Sequence, residues 1–259
     1  MFAYPCLTLQ ITIAVQLEHC QDKLLKTCGL LKETFPSSSA YIRRMCGRYR
    51  RKSDKQRIAE AFQVEVGLDD LPYEEGDDLR PQSLQPVIFT NDDGERQIEL
   101  MRWAFKLPDR LLFNARSEGI ERSDFWKDAF RTGRCIAPAD AIYEWQDVEK
   151  GKKKPKYEFT IPGQEPFGMA AVWKLWKNPK TDHWERTFAV LTGEPNELMQ
   201  PIHDRMTTFL ESRDYEEYLA ASERPPIHLF RILPAEKMRV QLVESGPITN
   251  TQASLFDGQ

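Results

Sequence analysis

Apolar and polar positions alternate over much of the chain and predict a fold rich in strands. Residues 85–90 and 97–105 flank an Asn-Asp-Asp-Gly turn at 91–94, a pattern typical of a β-hairpin. Further strands are predicted at residues 134–145, 157–161, 167–173, 187–192, 227–233 and 239–243, the first of them bent at Pro138. The acidic, proline-containing residues 69–85 are predicted to form a loop.

Helical spacing of apolar residues is confined to short segments. Ser53 and Ser123 are the expected N-caps of two helices, which end near residue 64 and at Gly133. Ser212 is expected to cap a third helix, and Pro195 suits the first turn of a fourth. Strand-rich runs with scattered short helices predict an α+β fold: a single domain on a curled, mostly antiparallel, barrel-like sheet with short peripheral helices.

Composition excludes some functional classes. The 259 residues contain no apolar run near the roughly 20 residues that span a membrane. The net charge of −4 does not indicate general affinity for nucleic acid, although a local field depends on where charges lie. Five cysteines without a CxxC pair argue against a disulfide framework or a zinc site. We therefore expect a cytoplasmic monomer without membrane contact, metal or cofactor, with Cys135 in its core.

The first 44 residues differ from the remainder. They carry a net charge of +2 and three of the five cysteines, so the remainder carries −6. We expect an N-terminal extension at 1–44, one domain at 45–250 and a flexible tail at 251–259. A true start at Met45, a removable propeptide and a genuine extension all stay open. Secretion is disfavoured because no basic start precedes the apolar residues 2–15.

Four short polar segments carry the candidate chemistry. They are Cys-Gly-Arg at 46–48, Asn-Ala-Arg-Ser-Glu at 114–118, Tyr-Glu-Trp at 143–145 and His-Asp-Arg-Met at 203–206. Cys46 is the candidate nucleophile, because a thiolate is the reactive form and the nearby Arg48 favours it. With a free α-amine, Cys46 would be a 1,2-aminothiol, which condenses with an aldehyde to an imine and then a thiazolidine ring. The alternative is a buried structural cysteine.

The other segments hold candidate proton-transfer and binding groups. An aromatic setting would raise the pKa of Glu144 and suit it to general acid–base work; the alternative is a solvated strand residue. His203 exchanges protons near neutral pH, oriented by its neighbours, unless it is merely structural. Asn114 and Arg116 would hold a sugar hydroxyl and a phosphate, with Glu118 tethering Arg116; the alternative is a surface salt-bridge ladder.

The order of these segments, with Arg-Cys-Ile-Ala-Pro-Ala-Asp-Ala-Ile-Tyr-Glu-Trp at 134–145, resembles the SRAP family of SOS-response-associated peptidases and abasic-site-processing proteins. The resemblance covers residues 45–250. It implies a protein that binds single-stranded DNA, cross-links covalently to the ring-opened aldehyde of an abasic site and shields that site in the DNA damage response. It also implies hydrolase (peptidase) activity that removes the residues before the cysteine, and lyase-type activity.

The resemblance assigns roles to particular residues. Cys46 is implied as the nucleophile, Glu144 as the acid/base and His203 as its proton-transfer partner. The implied DNA contacts are Asn114, Arg116 and Arg48. Aligning residues 81–88 on the family's Pro-Thr-Gln-x-x-Pro-Val-Ile pattern adds Asp78, which stands where the family has an active-site asparagine. A carboxylate there would shift local pKa values or repel phosphate.

Two other functions remain open on the sequence. One is an N-terminal-nucleophile amidohydrolase or peptidase that acts on a small substrate. The arginine-rich approach to Cys46 favours a polyanion over a small amide. The other is a non-catalytic module that binds nucleic acid, which would tolerate Cys46→Ala without loss of binding or of any covalent product.

Overall fold

The computed structural model describes residues 47–179, 181–222 and 224–244. Its strands are β1 (Tyr49–Arg51), β2 (Gly76–Leu79), β3 (Leu84–Thr90), β4 (Arg96–Trp103), β5 (Phe105–Lys106), β6 (Leu111–Leu112), β7 (Asn114–Arg116), β8 (Arg134–Ala139), β9 (Ala141–Trp145), β10 (Lys156–Thr160), β11 (Phe167–Lys177), β12 (Trp184–Gly193), β13 (Met206–Thr207), β14 (Phe209–Leu210) and β15 (Arg239–Glu244). The α-helices are α1 (Lys55–Phe62), α2 (Lys127–Thr132) and α3 (Tyr215–Leu219). Among the described residues, no helix is long and apolar enough to cross a membrane. The predicted extension, Cys46 and the predicted tail lie outside these residues.

Five strands form a closed ring in the order β12, β4, β3, β8 and β11, because β11 pairs back onto β12. Around this barrel only the β12–β4 pairing is parallel. A second sheet, in the order β15-β10-β9-β1-β2, is antiparallel throughout. The predicted α+β fold with a curled, mostly antiparallel sheet and short helices is therefore confirmed.

The barrel strands are buried on both faces. In β3, Val87 and Phe89 pack inside the barrel with residues of the second sheet such as Ile142, whereas Ile88 points outwards. The outward side chains pack against the three helices, including Phe62 of α1. Cys135 lies in the barrel interior at 0% exposure, which confirms its prediction as a core residue. Burial on both faces explains why the apolar runs of these strands are nearly continuous.

Several predicted local details are wrong, because side chains distant in sequence decide them. Asp54, rather than Ser53, caps α1, since its carboxylate accepts the amide N–H of Arg57 at 2.8 Å. The Ser53 hydroxyl instead donates to Asp140 at 2.5 Å, and Asp140 also accepts the amide of Ser53 at 2.8 Å. The strand at 134–145 therefore breaks at Asp140, while Pro138 stays within β8.

The predicted loop at 69–85 and the predicted strand at 227–233 are also corrected. The loop contains β2, which forms only because β1 supplies a partner for its backbone. Residues 227–229 form a 3-10 turn after two prolines, and the segment at Pro195 forms turns without a helix. Ser212 begins a 3-10 turn that leads into α3, and α2 ends at Gly133 as expected.

Candidate active site

The second and fourth polar segments meet at one end of β12. β7 holds Asn114 and Arg116 and runs parallel to β12, with Arg116 opposite Thr192. β13 runs antiparallel along the same end of β12 and places Thr207 opposite Thr192. Two segments that are distant in sequence are therefore fixed on either side of a single barrel strand.

The His203 ring is oriented by the backbone that follows it. Its side chain is 8% exposed, and Nδ1 accepts the amide N–H of Arg205 at 2.9 Å. Nδ1 also lies 3.1 Å from the carbonyl oxygen of Arg205, which can only accept, so these two backbone contacts suit either tautomer of the neutral ring. Asp204 is more distant, with Oδ1 at 3.4 Å from Nδ1. The backbone of Arg205 therefore fixes the orientation of the His203 ring.

Arg205 also braces this end of β12 with its side chain. Its Nη1 and Nη2 donate to the two carboxylate oxygens of Glu118 at 2.6 and 2.7 Å, and Nη2 donates to the carbonyl of Thr192. The hydrogen bonds from Arg205 hold the pKa of Glu118 below its usual value. Glu118 thus tethers Arg205 rather than Arg116, contrary to the expectation from sequence.

Asn114 and Arg116 differ in their surroundings although they lie on one strand. Asn114 is 9% exposed, whereas Arg116 is exposed. Within the described part of the chain, no hydrogen bond or ion pair engages the Arg116 guanidinium. Arg116 is therefore placed as a cation that an external anion can reach.

Glu144 lies in the middle of the second sheet and is 1% exposed, which excludes the alternative of a solvated strand residue. Its strand β9 runs between β1 and β10, where Glu144 stands opposite Tyr157. Strand alternation places its neighbours Tyr143 and Trp145 on the other face. There the ammonium group of Lys156 lies 4.0 Å from the Tyr143 ring centroid. The sheet, more than the flanking rings, accounts for the burial of Glu144.

Gln146, two residues after Glu144, binds the chain that leads to His203, and it belongs to none of the four polar segments. Its Nε2 donates to the carbonyl of Pro201 at 3.0 Å, two residues before His203, and its side chain is almost fully buried. The Tyr157 hydroxyl donates to its Oε1 at 3.4 Å. The available signal was its spacing of two from Glu144, which puts both on one face of an extended strand.

The first polar segment approaches the site along β1. The carbonyl of Arg48 accepts the amide N–H of Tyr143 at 2.9 Å, next to Glu144. Gly47 is the first residue described, so Cys46 lies just beyond this point of the structure. The described contacts therefore join the chain next to Cys46 to β9 at Tyr143, Gln146 to the His203 segment at Pro201, and that segment and β7 to the same end of β12.

Asp78 contacts Arg48 directly. Arg48 Nη1 donates to Oδ1 and Oδ2 of Asp78 at 2.6 and 2.5 Å, and Arg80 Nη2 donates to Oδ2 at 2.6 Å. Burial acts to raise the pKa of the Asp78 carboxyl, but the hydrogen bonds from the two arginines outweigh it and lower that pKa. The guanidinium carbon of Arg48 also lies 5.5 Å from the ring centroid of Trp145. The carboxylate is therefore neutralised by two cations.

Comparisons with known proteins give the family of the chain. A family model described as SOS response associated peptidase (SRAP) matches residues 45–248. The chain is 28% identical over 197 residues to the abasic site processing protein YoqW of Bacillus subtilis (strain 168), covering 73% of this chain and 86% of that protein. It is 27% identical over 228 residues to YoaM, an abasic site processing protein of the same bacterium, covering 83% of this chain and 99% of that protein.

More distant relatives share part of the length or the fold alone. The abasic site processing protein HMCES of Gallus gallus is 28% identical over 194 residues, covering 61% of this chain and 58% of that protein. A crystal structure of a protein from Bordetella bronchiseptica matches with a TM-score of 0.65 at 24% identity, covering 77% of this chain and 100% of that chain. This structural match shows a common fold.

Proposed function

Because the chain belongs to the SOS response associated peptidase (SRAP) family, we propose that it processes abasic sites in DNA. The substrate is single-stranded DNA whose abasic sugar, in its ring-opened form, presents an aldehyde. The product is a covalent cross-link to Cys46 that shields the lesion from cleavage in the DNA damage response. The bacterial relatives named abasic site processing proteins, which match over most of their length, support this substrate.

One observation carries the proposal. The chain that leads to Cys46 pairs with the strand of the buried Glu144, the residue two after Glu144 binds the segment of His203, and that segment shares the end of β12 with Arg116, which no hydrogen bond holds among the described residues. An electrophile on a polyanion needs this combination: a nucleophile, groups that move protons, and a cation for the phosphate. An amidohydrolase for a small substrate has no use for the exposed Arg116.

The cross-link forms by loss of water alone. The α-amine of an N-terminal Cys46 adds to the aldehyde carbon, and loss of the resulting hydroxyl as water gives an imine. The thiolate then adds to the imine carbon, the nitrogen takes up a proton, and a thiazolidine ring closes. No electron is gained or lost, so the step balances without an oxidant or reductant.

Each remaining site residue has a role in this sequence. Glu144 protonates the departing hydroxyl and accepts a proton from the amine, while His203 assists these proton transfers through its ring. The strength of such general acid–base help is typically ~10²–10⁴ in rate. Asn114 holds the sugar, and Arg116 contacts a flanking phosphate through its planar, always charged guanidinium.

A peptidase step would expose the amine if the chain is synthesised from Met1. Attack of the Cys46 thiolate on the carbonyl of Met45, followed by hydrolysis of the thioester, releases residues 1–45 and leaves a free α-amine on Cys46. The family description as a peptidase favours this activity. Intact mass of the protein expressed from Met1, before and after incubation, tests it. A mass that retains all residues in protein active for cross-linking would refute the step.

The cross-link is tested with a single-stranded oligonucleotide that carries one abasic site. We expect an adduct that survives a denaturing gel and disappears in Cys46→Ala. Cys135→Ala is the matched control, because Cys135 is fully buried inside the barrel and should leave the adduct unchanged. Cross-linking of Cys46→Ala at the wild-type level would eliminate the aminothiol mechanism, and binding without any adduct in wild type would leave a non-catalytic binding module.

A further inference from the structure

The cluster of Asp78, Arg48 and Arg80 has no role in the reaction steps above. It nevertheless lies beside the chain that leads to Cys46. Arg48 and Asp78 are 27% and 32% exposed, whereas Arg80 is 62% exposed. Arg48 and Asp78 are therefore partly shielded from solvent, where a charge acts over a short distance more strongly than in open water.

The chain limits how far Cys46 can lie from this cluster. Two residues span at most about 7 Å, so the Cα atom of Cys46 lies within that distance of the Cα atom of Arg48. A guanidinium near a thiol favours the thiolate over the thiol. The same positive charge favours the neutral α-amine, which is the nucleophilic form. Where the Arg48 side chain lies consequently matters for both reacting groups of Cys46.

We infer that Asp78 is a positioning residue, whose carboxylate holds the Arg48 guanidinium against Trp145 and so sets the positive charge that acts on Cys46. The inference rests on the proposed function only because that function gives Cys46 a reaction. Arg48 then serves the nucleophile rather than a phosphate, since its Nη1 is bound to the Asp78 carboxylate at 2.5–2.6 Å. Since two guanidiniums surround one carboxylate, the cluster keeps a net positive charge and does not repel DNA.

Titration of the Cys46 thiol tests this inference without DNA. The rate of alkylation by iodoacetamide is measured against pH, and Cys46 is followed by peptide mapping. Asp78→Asn keeps an acceptor for Arg48 but removes the negative charge. The midpoint of the alkylation rate against pH should therefore move to lower pH by about half a unit or more. Asp77→Asn is the matched control: Asp77 lies on the opposite face of β2, is 71% exposed and pairs with Lys52. It should leave the midpoint unchanged.

A second variant separates positioning from a direct field effect. If Asp78 acts through Arg48, Asp78→Asn in an Arg48→Ala background should no longer shift the midpoint. The other charged groups around Arg48, which include Arg80, Lys156, Glu144 and the Arg50–Glu158 pair, are the same in every variant. A shift that persists without Arg48, or no shift in Asp78→Asn, would overturn the inference. Circular dichroism confirms that each variant is folded.

The salt dependence of DNA binding completes the test. Arg48→Ala should leave the slope of log affinity against log salt unchanged, because its charge is already paired, whereas loss of one phosphate contact lowers it by about 0.7 for single strands. A lower slope in Arg48→Ala would make Arg48 a DNA contact and refute its assignment to the nucleophile. If wild type forms no adduct but the alkylation shifts appear, the proposed function fails and this inference stands.

Discussion

The two ends of β12 use their arginines in different ways. At the first end, the Arg186 guanidinium lies 5.5 and 5.2 Å from the ring centroids of Phe89 and Trp173 and pairs with Glu99. At the other end, about 30 Å away along a ten-residue strand, Arg205 is fixed by Glu118. Arg116, beside Arg205, has no such partner among the described residues. One end compensates its charge internally, whereas the other leaves a cation for an external anion.

Large exposed apolar side chains lie at the first end of β12, beside Arg186, and so do not mark the candidate site. Trp184 and Leu175 are 67% and 58% exposed and lie near Arg186 on the β11–β12 hairpin. The candidate site residues are marked instead by burial of polar groups: Glu144 is 1% exposed, Gln146 binds the carbonyl of Pro201, and the backbone of Arg205 holds the His203 ring.

Replacing Glu144 and, as its control, the Glu99 partner of Arg186 should give the largest contrast. Glu144→Gln should slow cross-linking to an abasic oligonucleotide by ~10²–10⁴-fold, because an amide keeps the shape but cannot exchange a proton. Affinity for intact single-stranded DNA should stay the same. Glu99→Gln, which removes the partner of Arg186, should leave the cross-linking rate unaltered. Single-turnover time courses on denaturing gels measure both rates, and equal rates for the two variants would remove Glu144 from the mechanism.

The fold class was predictable from sequence because local patterns determine most strands. The hairpin at 85–105 and the strand at 239–243 need only alternation and turn residues, and both occur. β2 was not predicted because its residues are polar and because its partner, β1, is distant in sequence. The cap at Asp54 was missed for a related reason, since Asp140 takes the Ser53 hydroxyl that would otherwise have served.

The candidate site residues stay predictions, and only part of their placement followed from the sequence. The spacing of Asn114 and Arg116 correctly placed them on one strand, β7. Neither the pairing of Glu118 with Arg205 nor that of Asp78 with Arg48 could be read from local pattern, because each joins segments far apart in sequence. The folded chain therefore decided which charges of the candidate residues are paired.

The salt dependence of DNA binding should show whether Arg116 contacts a phosphate. Arg116→Ala should lower affinity for single-stranded DNA and reduce the slope of log affinity against log salt by about 0.7, as expected when one phosphate contact is lost. Lys177→Ala, an exposed cation at the opposite end of the hairpin that pairs with Asp182, is the control. Fluorescence anisotropy from low to moderate salt measures both slopes. A slope that Arg116→Ala leaves unaltered would assign Arg116 a structural role.

The smallest expected effect concerns the Arg205–Glu118 pair and its dependence on pH. Hydrogen bonds from Arg205 lower the pKa of Glu118 from the usual 4.5. A depressed folded-state pKa contributes stability that is present above pH ~4.5 and is lost as pH falls through the lower, folded value. Because the Glu118 side chain is 47% exposed, water screens the pair and the contribution is small. Between neutral pH and pH ~3.5, Glu118→Gln should therefore lose less stability than wild type, as measured by urea unfolding. Parallel curves of unfolding free energy against pH for the two proteins would show that the pair only orders the segment around His203.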